Sequence, residues 1–168
     1  MPKKQVSAKK RNKSVTAGEG PFYEIRNSPI HGRGGFALRT IPKGTQIVEY
    51  KGDIISWAEV WRRYPDDEEG DQQNHTFLFE IDDKRVIDAT QRNYPAKWIN
   101  HSCGPNCQAV GDDDKIFIEA LRTIRPGEEL AYDYKITLPE RHTAAVKKRY
   151  TCLCGTRKCR GTILAPKR

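Results

Sequence analysis

Apolar and polar residues alternate in short runs along most of the chain, and glycine and proline break the runs. Residues 22–26 alternate and predict a strand. Gly32-Arg33-Gly34-Gly35 predicts a turn ahead of Phe36-Ala37-Leu38, and Ile41-Pro42-Lys43-Gly44 predicts another. The β-rich stretch over 47–50 ends at Gly52. The pattern predicts a first helix over 57–64, with Ser56 as its N-cap and Pro65 as its stop. Apolar runs at 77–81 and 85–87 flank Asp82-Asp83-Lys84 and predict a hairpin. Further strands are predicted over 116–118 and 129–132, the latter after a turn at Pro126-Gly127. Helix is scarce and no long internal period repeats, so the pattern predicts a mainly β domain of many short strands.

Composition adds an unusual division of charge. The 168 residues carry a net charge of +8, with 31% charged and 36% hydrophobic side chains, enough apolar material for one core. Residues 1–14 hold six basic side chains and no acid, and residues 141–168 hold nine basic side chains and no acid. The stretch between holds 15 basic against 22 acidic side chains, a net of −7. The Lys-rich residues 1–20 predict a disordered basic tail. Basic ends suit nucleic acid, whereas an acidic body suits a cationic partner. No apolar run of about 18 residues occurs, which excludes a helical membrane span. Met1-Pro2-Lys3-Lys4-Gln5 lacks the apolar region of a secretory signal, so an intracellular location is expected.

Candidate chemistry sits in three places. Cys152-Leu153-Cys154 and Cys159 are spaced to wrap one tetrahedral Zn²⁺, with Cys103 or Cys107 completing a closed structural site. The segment from Asn100 to Cys107 is dense in polar side chains, and alternation on a strand would put His101 and Cys103 on one side. In Gly127-Glu128-Glu129-Leu130-Ala131-Tyr132-Asp133-Tyr134, an extended backbone puts Leu130, Tyr132 and Tyr134 on one face, where buried phenols need partners.

Taken in order, six segments resemble a SET-domain protein lysine methyltransferase with a post-SET zinc tail, most like the trithorax-type branch. They are Gly32-Arg33-Gly34-Gly35-Phe36-Ala37, Glu49-Tyr50-Lys51-Gly52, Asp88-Ala89-Thr90, Ile99-Asn100-His101-Ser102-Cys103-Gly104-Pro105-Asn106-Cys107, residues 127–134 as quoted above, and the Cys152-to-Thr162 tail. Any one is weak, whereas all six in order are specific. The sequence departs from the family pattern ahead of Ile99, where Lys97 and Trp98 stand at positions usually held by Arg and Phe.

The resemblance implies a β-clip of short curved sheets with a pseudoknot, few short helices and a zinc-bound tail. It divides the chain into a basic tail (1–20), a SET methyltransferase domain (21–136) and a post-SET segment (137–168). It implies S-adenosylmethionine as methyl donor, held by Gly32, Arg33, Gly34, Asn100, His101, Tyr134 and Leu153. Tyr134 is then the catalytic tyrosine, and Tyr50 and Tyr132 line the lysine channel. Cys103, Cys152, Cys154 and Cys159 bind a structural Zn²⁺, and Cys107 is spare. The implied substrate is a lysine-rich basic protein such as a histone or histone-like protein, mono- or di-methylated, since a tyrosine at the Tyr132 position restricts the product. The acidic run from Asp66 to Asp71 is expected to attract that substrate. Lys3, Lys4, Lys9, Lys10 and Lys13 are reachable for automethylation. The competing reading is a non-catalytic, zinc-stapled module that binds nucleic acid through its basic ends.

Overall fold

The structure is a computed structural model that describes residues 4–5, 8–9, 20–65 and 77–166. The acidic run at 66–71 lies outside the described residues. Among the described residues, eleven strands are β1 (Ala8–Lys9), β2 (Tyr23–Asn27), β3 (Arg33–Ala37), β4 (Gln46–Glu49), β5 (Asp53–Ser56), β6 (Leu78–Glu80), β7 (Arg85–Asp88), β8 (Asn100–His101), β9 (Cys107–Asp112), β10 (Lys115–Ala120) and β11 (Glu129–Tyr132). Among the described residues, two short helices are α1 (Trp57–Arg63) and α2 (Ala144–Arg149), and Pro95–Trp98 forms a 3₁₀ turn.

The strands make a curled eight-stranded sheet with the path β2-β3-β11-β9-β10-β4, to which β1 and β8 attach, and a three-stranded sheet β5-β7-β6. The mainly β expectation holds. The main core is aliphatic, with Ile41, Ile99, Ile116, Ile118, Ile124, Leu130, Ile136 and Leu164 almost fully buried. A satellite of Val60, Leu78 and Val86 seats α1 on the smaller sheet. Burial of such side chains contributes about 1.5–3 kcal/mol each.

The helix at 57 starts where its cap is expected. The Ser56 hydroxyl accepts from the Glu59 amide at 3.2 Å, and Glu59 binds Arg62 and Arg63 along the exposed face. Arg63 also reaches the buried carboxylate of Asp88 at 3.1 Å, which ties α1 to β7. The glycine run at 32–35 is less of a turn than its composition suggests. Only Gly32 takes a positive φ, of 46°, and β3 begins at Arg33. Gly34 lies inside that strand because any Cβ there would collide with the Glu129 carboxylate.

The basic N-terminal stretch also departs from expectation, at the residues described. Lys4 bridges to Phe79, and Ala8 and Lys9 run parallel to β9 opposite Val110 and Gly111. Composition predicts no such pairing, because the partners lie more than seventy residues away. Among the described residues, no helix is long and apolar enough to cross a membrane.

Candidate active site

The site is assembled where β8 and β11 run parallel, Asn100 opposite Ala131 and His101 opposite Tyr132. Asn106 holds β11 from its other edge as a strand would. Its side-chain carbonyl accepts from the Ala131 amide at 2.9 Å, and its amide group donates to the Glu129 carbonyl at 2.8 Å. Asn106 is a positioning residue that its own motif conceals among turn-formers.

Asn100 fastens the loop ahead of β3 to this pair. Its side-chain nitrogen donates towards the carbonyls of Arg33 (2.9 Å) and His31 (3.2 Å), the Ser28 hydroxyl and the Glu129 carboxylate. His101 is buried, and burial pushes its pKa down to about 4 against the pull of Asp133, so its ring is neutral at pH 7. The Tyr134 amide donates to Nδ1 at 3.1 Å, which assigns the proton to Nε2, 3.4 Å from Cys103 Sγ. Thus His101 and Cys103 do share a side, as alternation requires.

Beside them lies a small open cleft. It is lined by Ile30, His31, Asn100, His101, Tyr134, Thr151, Cys152, Leu153 and Ile163. The structure therefore brings together Asn100, His101, Tyr134 and Leu153 of the expected cofactor residues. Gly32, Arg33 and Gly34 do not line the cleft; Ile30 and His31 present that loop instead, and Arg33 lies over the Trp98 ring. Ile30, Thr151 and Ile163 carry no motif and were not legible as site residues. Leu153 is 57% exposed, an apolar side chain left open on the cleft wall.

Tyr134 is also a wall of a second compartment. Its ring lies 4.9 Å from that of Tyr132, Tyr132 stacks on Phe79 at 6.3 Å, and Tyr50 meets Phe79 edge-on at 5.1 Å. The result is a narrow aromatic channel. Tyr134 Oη donates to the Ile99 carbonyl at 2.8 Å and Tyr50 Oη to the Phe77 carbonyl at 3.1 Å. Tyr132 Oη is fully buried and has no partner among the described residues. Burial raises the pKa of all three phenols, so they stay protonated at neutral pH.

The channel holds a lysine. Lys4 is 0% exposed, and its Nζ lies 4.0 Å from the Tyr134 ring centre, 5.1 Å from Tyr50 and 5.5 Å from Tyr132. Burial pushes its pKa down to about 7.

At the rim of the cleft, the sulfurs of Cys103, Cys152, Cys154 and Cys159 lie within 4.8 Å of one another. Four thiolates about 2.3 Å from one Zn²⁺ lie about 3.8 Å apart, and Cys103 and Cys152 are already at 3.7 Å. Backbone amides of Cys154, Arg160 and Gly161 point at the sulfurs of Cys152, Cys103 and Cys159 at 3.4 Å each, as suits ligated thiolates. The donor set therefore fits a closed structural zinc site. Cys107 stands apart on β9, and burial pushes its thiol up to about 12.

A family model described as "SET domain" matches residues 32–135. The chain is 41% identical over 162 residues to the "Histone-lysine N-methyltransferase, H3 lysine-4 specific" of Chaetomium globosum, covering 92% of this chain and 14% of that protein. It is 38% identical over 145 residues to the "Histone-lysine N-methyltransferase trithorax" of Drosophila virilis, covering 83% of this chain and 4% of that protein. To the human "Histone-lysine N-methyltransferase 2D" it is 38% identical over 140 residues, covering 81% of this chain and 2% of that protein. The chain thus spans a small part of the length of the curated relatives it matches.

Proposed function

The chain belongs to the SET-domain family, and on that footing we propose that it is an S-adenosylmethionine-dependent protein lysine N-methyltransferase acting on a lysine-rich basic protein such as a histone, at chromatin or in the cytoplasm. The observation that carries this reading is that Tyr134 is the shared wall of two compartments, an open cleft and a channel that fits a lysine side chain. The cleft suits the donor, with Asn100, His101 and Tyr134 as polar contacts and Ile30, Leu153 and Ile163 as apolar cover. When bound, S-adenosylmethionine supplies an electrophilic sulfonium methyl group.

The protein's own work is to deliver a neutral amine in line with that methyl. A free lysine has a pKa near 10.5 and arrives charged. The dry walls of Tyr50, Tyr132 and Tyr134 disfavour the ammonium through desolvation, so the proton leaves Nζ at near-neutral pH. Tyr134 keeps its own proton and commits it to the Ile99 carbonyl, which makes it a positioning group rather than a base. The aromatic faces then keep a methylated, cationic product in place. A channel narrowed by the Tyr132 hydroxyl leaves little room beyond one or two methyl groups, so mono- and di-methylation are the expected products.

The deciding experiment offers labelled S-adenosylmethionine and a panel of basic proteins to the wild-type chain and to Tyr134→Phe. Transfer by wild type and its loss of about 10²-fold in the variant support the reading. Absence of both transfer and cofactor binding would overturn it in favour of the zinc-stapled, nucleic-acid-binding module.

A further inference from the structure

We propose that Lys4 is a modification site of this chain, methylated in cis by its own channel, and that the unmodified N-terminal segment thereby competes with substrates presented in trans. The proposal rests on the methyltransferase reading above and adds to it the identity of the lysine and the route by which it arrives.

The segment is held as a strand rather than lodged by one side chain. The Lys4 amide donates to the Leu78 carbonyl (3.4 Å), and the Glu80 amide donates back to the Lys4 carbonyl (3.0 Å). The Gln5 amide donates to the Tyr134 carbonyl at 3.1 Å, and Gln5 Nε2 reaches Thr137 Oγ1 at 3.2 Å. One edge of the segment therefore rests on β6 and the other on the residues that follow β11. Further on, β1 pairs with β9 at Val110 and Gly111. This is peptide recognition by strand addition, with the backbone supplying affinity and one side-chain pocket supplying selection.

A second buried lysine shows what a structural lysine looks like in this protein. Lys97 Nζ donates to the carbonyls of Arg92 (2.8 Å), Ala89 (3.3 Å) and Thr90 (3.4 Å), and so fastens a loop. Lys4 Nζ is more deeply buried, yet it has no hydrogen-bond partner among the described residues. Its amine lies over the faces of Tyr50, Tyr132 and Tyr134. An amine left without an acceptor has nothing to hold its proton, and once neutral its lone pair is free. In the reaction that lone pair forms an N–C bond to the methyl of a sulfonium donor. The S–C bond breaks, its electron pair returns to sulfur to give a thioether, and the Nζ proton passes to water.

The test uses the full chain. Wild type and Lys4→Ala are incubated with S-adenosylmethionine, alone and with a basic protein, and the sites are mapped by tandem mass spectrometry. The expected result is methyl on Lys4 at a fractional rate that does not change over a hundredfold dilution. Lys4→Ala should lack that mark and act on the basic protein with a several-fold higher kcat/KM. Transfer to the basic protein by Lys4→Ala, with no mark on Lys4 of wild type, overturns the proposal and leaves the enzyme reading standing. So does a Lys4 rate that rises with protein concentration. No transfer by either chain removes both readings. Docking is read separately by amide exchange without methyl donor. The Glu80 amide should exchange about tenfold faster in Lys4→Glu than in wild type, and equal rates would overturn the docked segment.

Discussion

The three phenols of the channel look alike in sequence but differ in what their hydroxyls do, and paired Tyr→Phe substitutions separate them. Tyr134 Oη spends its proton on the Ile99 carbonyl at 2.8 Å. Removing it deletes one buried hydrogen bond and costs about 1–1.5 kcal/mol. Tyr132 Oη is equally buried but has no partner among the described residues. Burying such a hydroxyl costs about 1–3 kcal/mol, so Tyr132→Phe should be neutral or stabilising by up to about 1 kcal/mol. The two variants should differ by about 2 kcal/mol, or about 4–8 °C in Tm for a chain of this size. Calorimetry at pH 7 with zinc present measures this, and mass spectrometry of the product peptides on the same samples reads the second consequence. The oxygen removed at Tyr132 widens the channel where the amine sits, so Tyr132→Phe should move the product towards higher methylation. A loss of stability in Tyr132→Phe equal to that in Tyr134→Phe would refute the assignment of an unpartnered hydroxyl. Predominant tri-methylation by wild type would refute the role of the channel in limiting product.

Two further predictions concern the ends of the chain. Zinc removal by a chelator should release the segment that carries Cys152 and Leu153 from the cleft wall, so cofactor affinity measured by calorimetry should fall at least about tenfold and return when zinc is restored; unchanged affinity in metal-free protein would refute the coupling. For Lys4 the sign follows from a docked pKa near 7 against 10.5 free: docking stabilises with rising pH between those values, by about 5 kcal/mol in all, and Lys4 contributes no pH dependence below about 7. The groups facing Nζ are the protonated phenols of Tyr50, Tyr132 and Tyr134, with neutral His101 nearby, so none of them reverses the trend. Docked and released populations measured by NMR between pH 7 and 9.5 should shift towards the docked form, and a shift the other way would refute it.

What was legible in the sequence was carried by local signals. The helix at 57 has a cap, a stop and an i,i+4 pair within ten residues, and β11 follows a Pro126-Gly127 turn with Leu130 and Tyr132 two residues apart on one face. Cys152, Cys154 and Cys159 were legible because thiolate spacing is a geometric constraint in its own right, whereas spacing left Cys103 and Cys107 open and only the family resemblance pointed to Cys103. The elements missed lacked such signals. Strand β8 is only two residues long and exists because β11 lies beside it, and β9 holds Gln108, Gly111 and Asp112 among its six residues. Helix α2 spans six residues, starting at a Thr143 cap that no apolar periodicity announces. The glycine run was misread as a turn throughout because Gly34 serves a tertiary purpose, clearance for the Glu129 carboxylate. The place of Lys4 was beyond any local rule. A Lys-rich stretch reads as solvated until the fold brings Tyr50, Tyr132 and Tyr134 around one of its amines.

The zinc site and the channel are far apart in sequence, yet one residue joins them mechanically. Arg160, between Cys159 and Gly161, forms a bidentate pair with Asp133 at 2.8 and 2.9 Å, and its amide points at Cys103 Sγ. Asp133 separates Tyr132 from Tyr134, so the guanidinium grips the backbone that aims both rings into the channel. From the other side, the Tyr134 amide binds His101 Nδ1 while His101 Nε2 faces Cys103 Sγ. The tyrosines are thus held by two short routes that both end on the same sulfur. A charge-assisted, two-pronged contact of this kind fixes orientation as well as distance. A zinc ion held by the four cysteines would then act on the site without touching it, because closing the tetrahedron would set the position of Cys103, and through it the Tyr134 ring that borders both the cleft and the lysine-holding pocket. The basic C-terminal stretch gains its functional meaning from this arrangement. Arg160 acts on an internal carboxylate, and the positive charge that first suggested a phosphate backbone is, at this residue, a clamp on the strand end that carries Tyr132 and Tyr134.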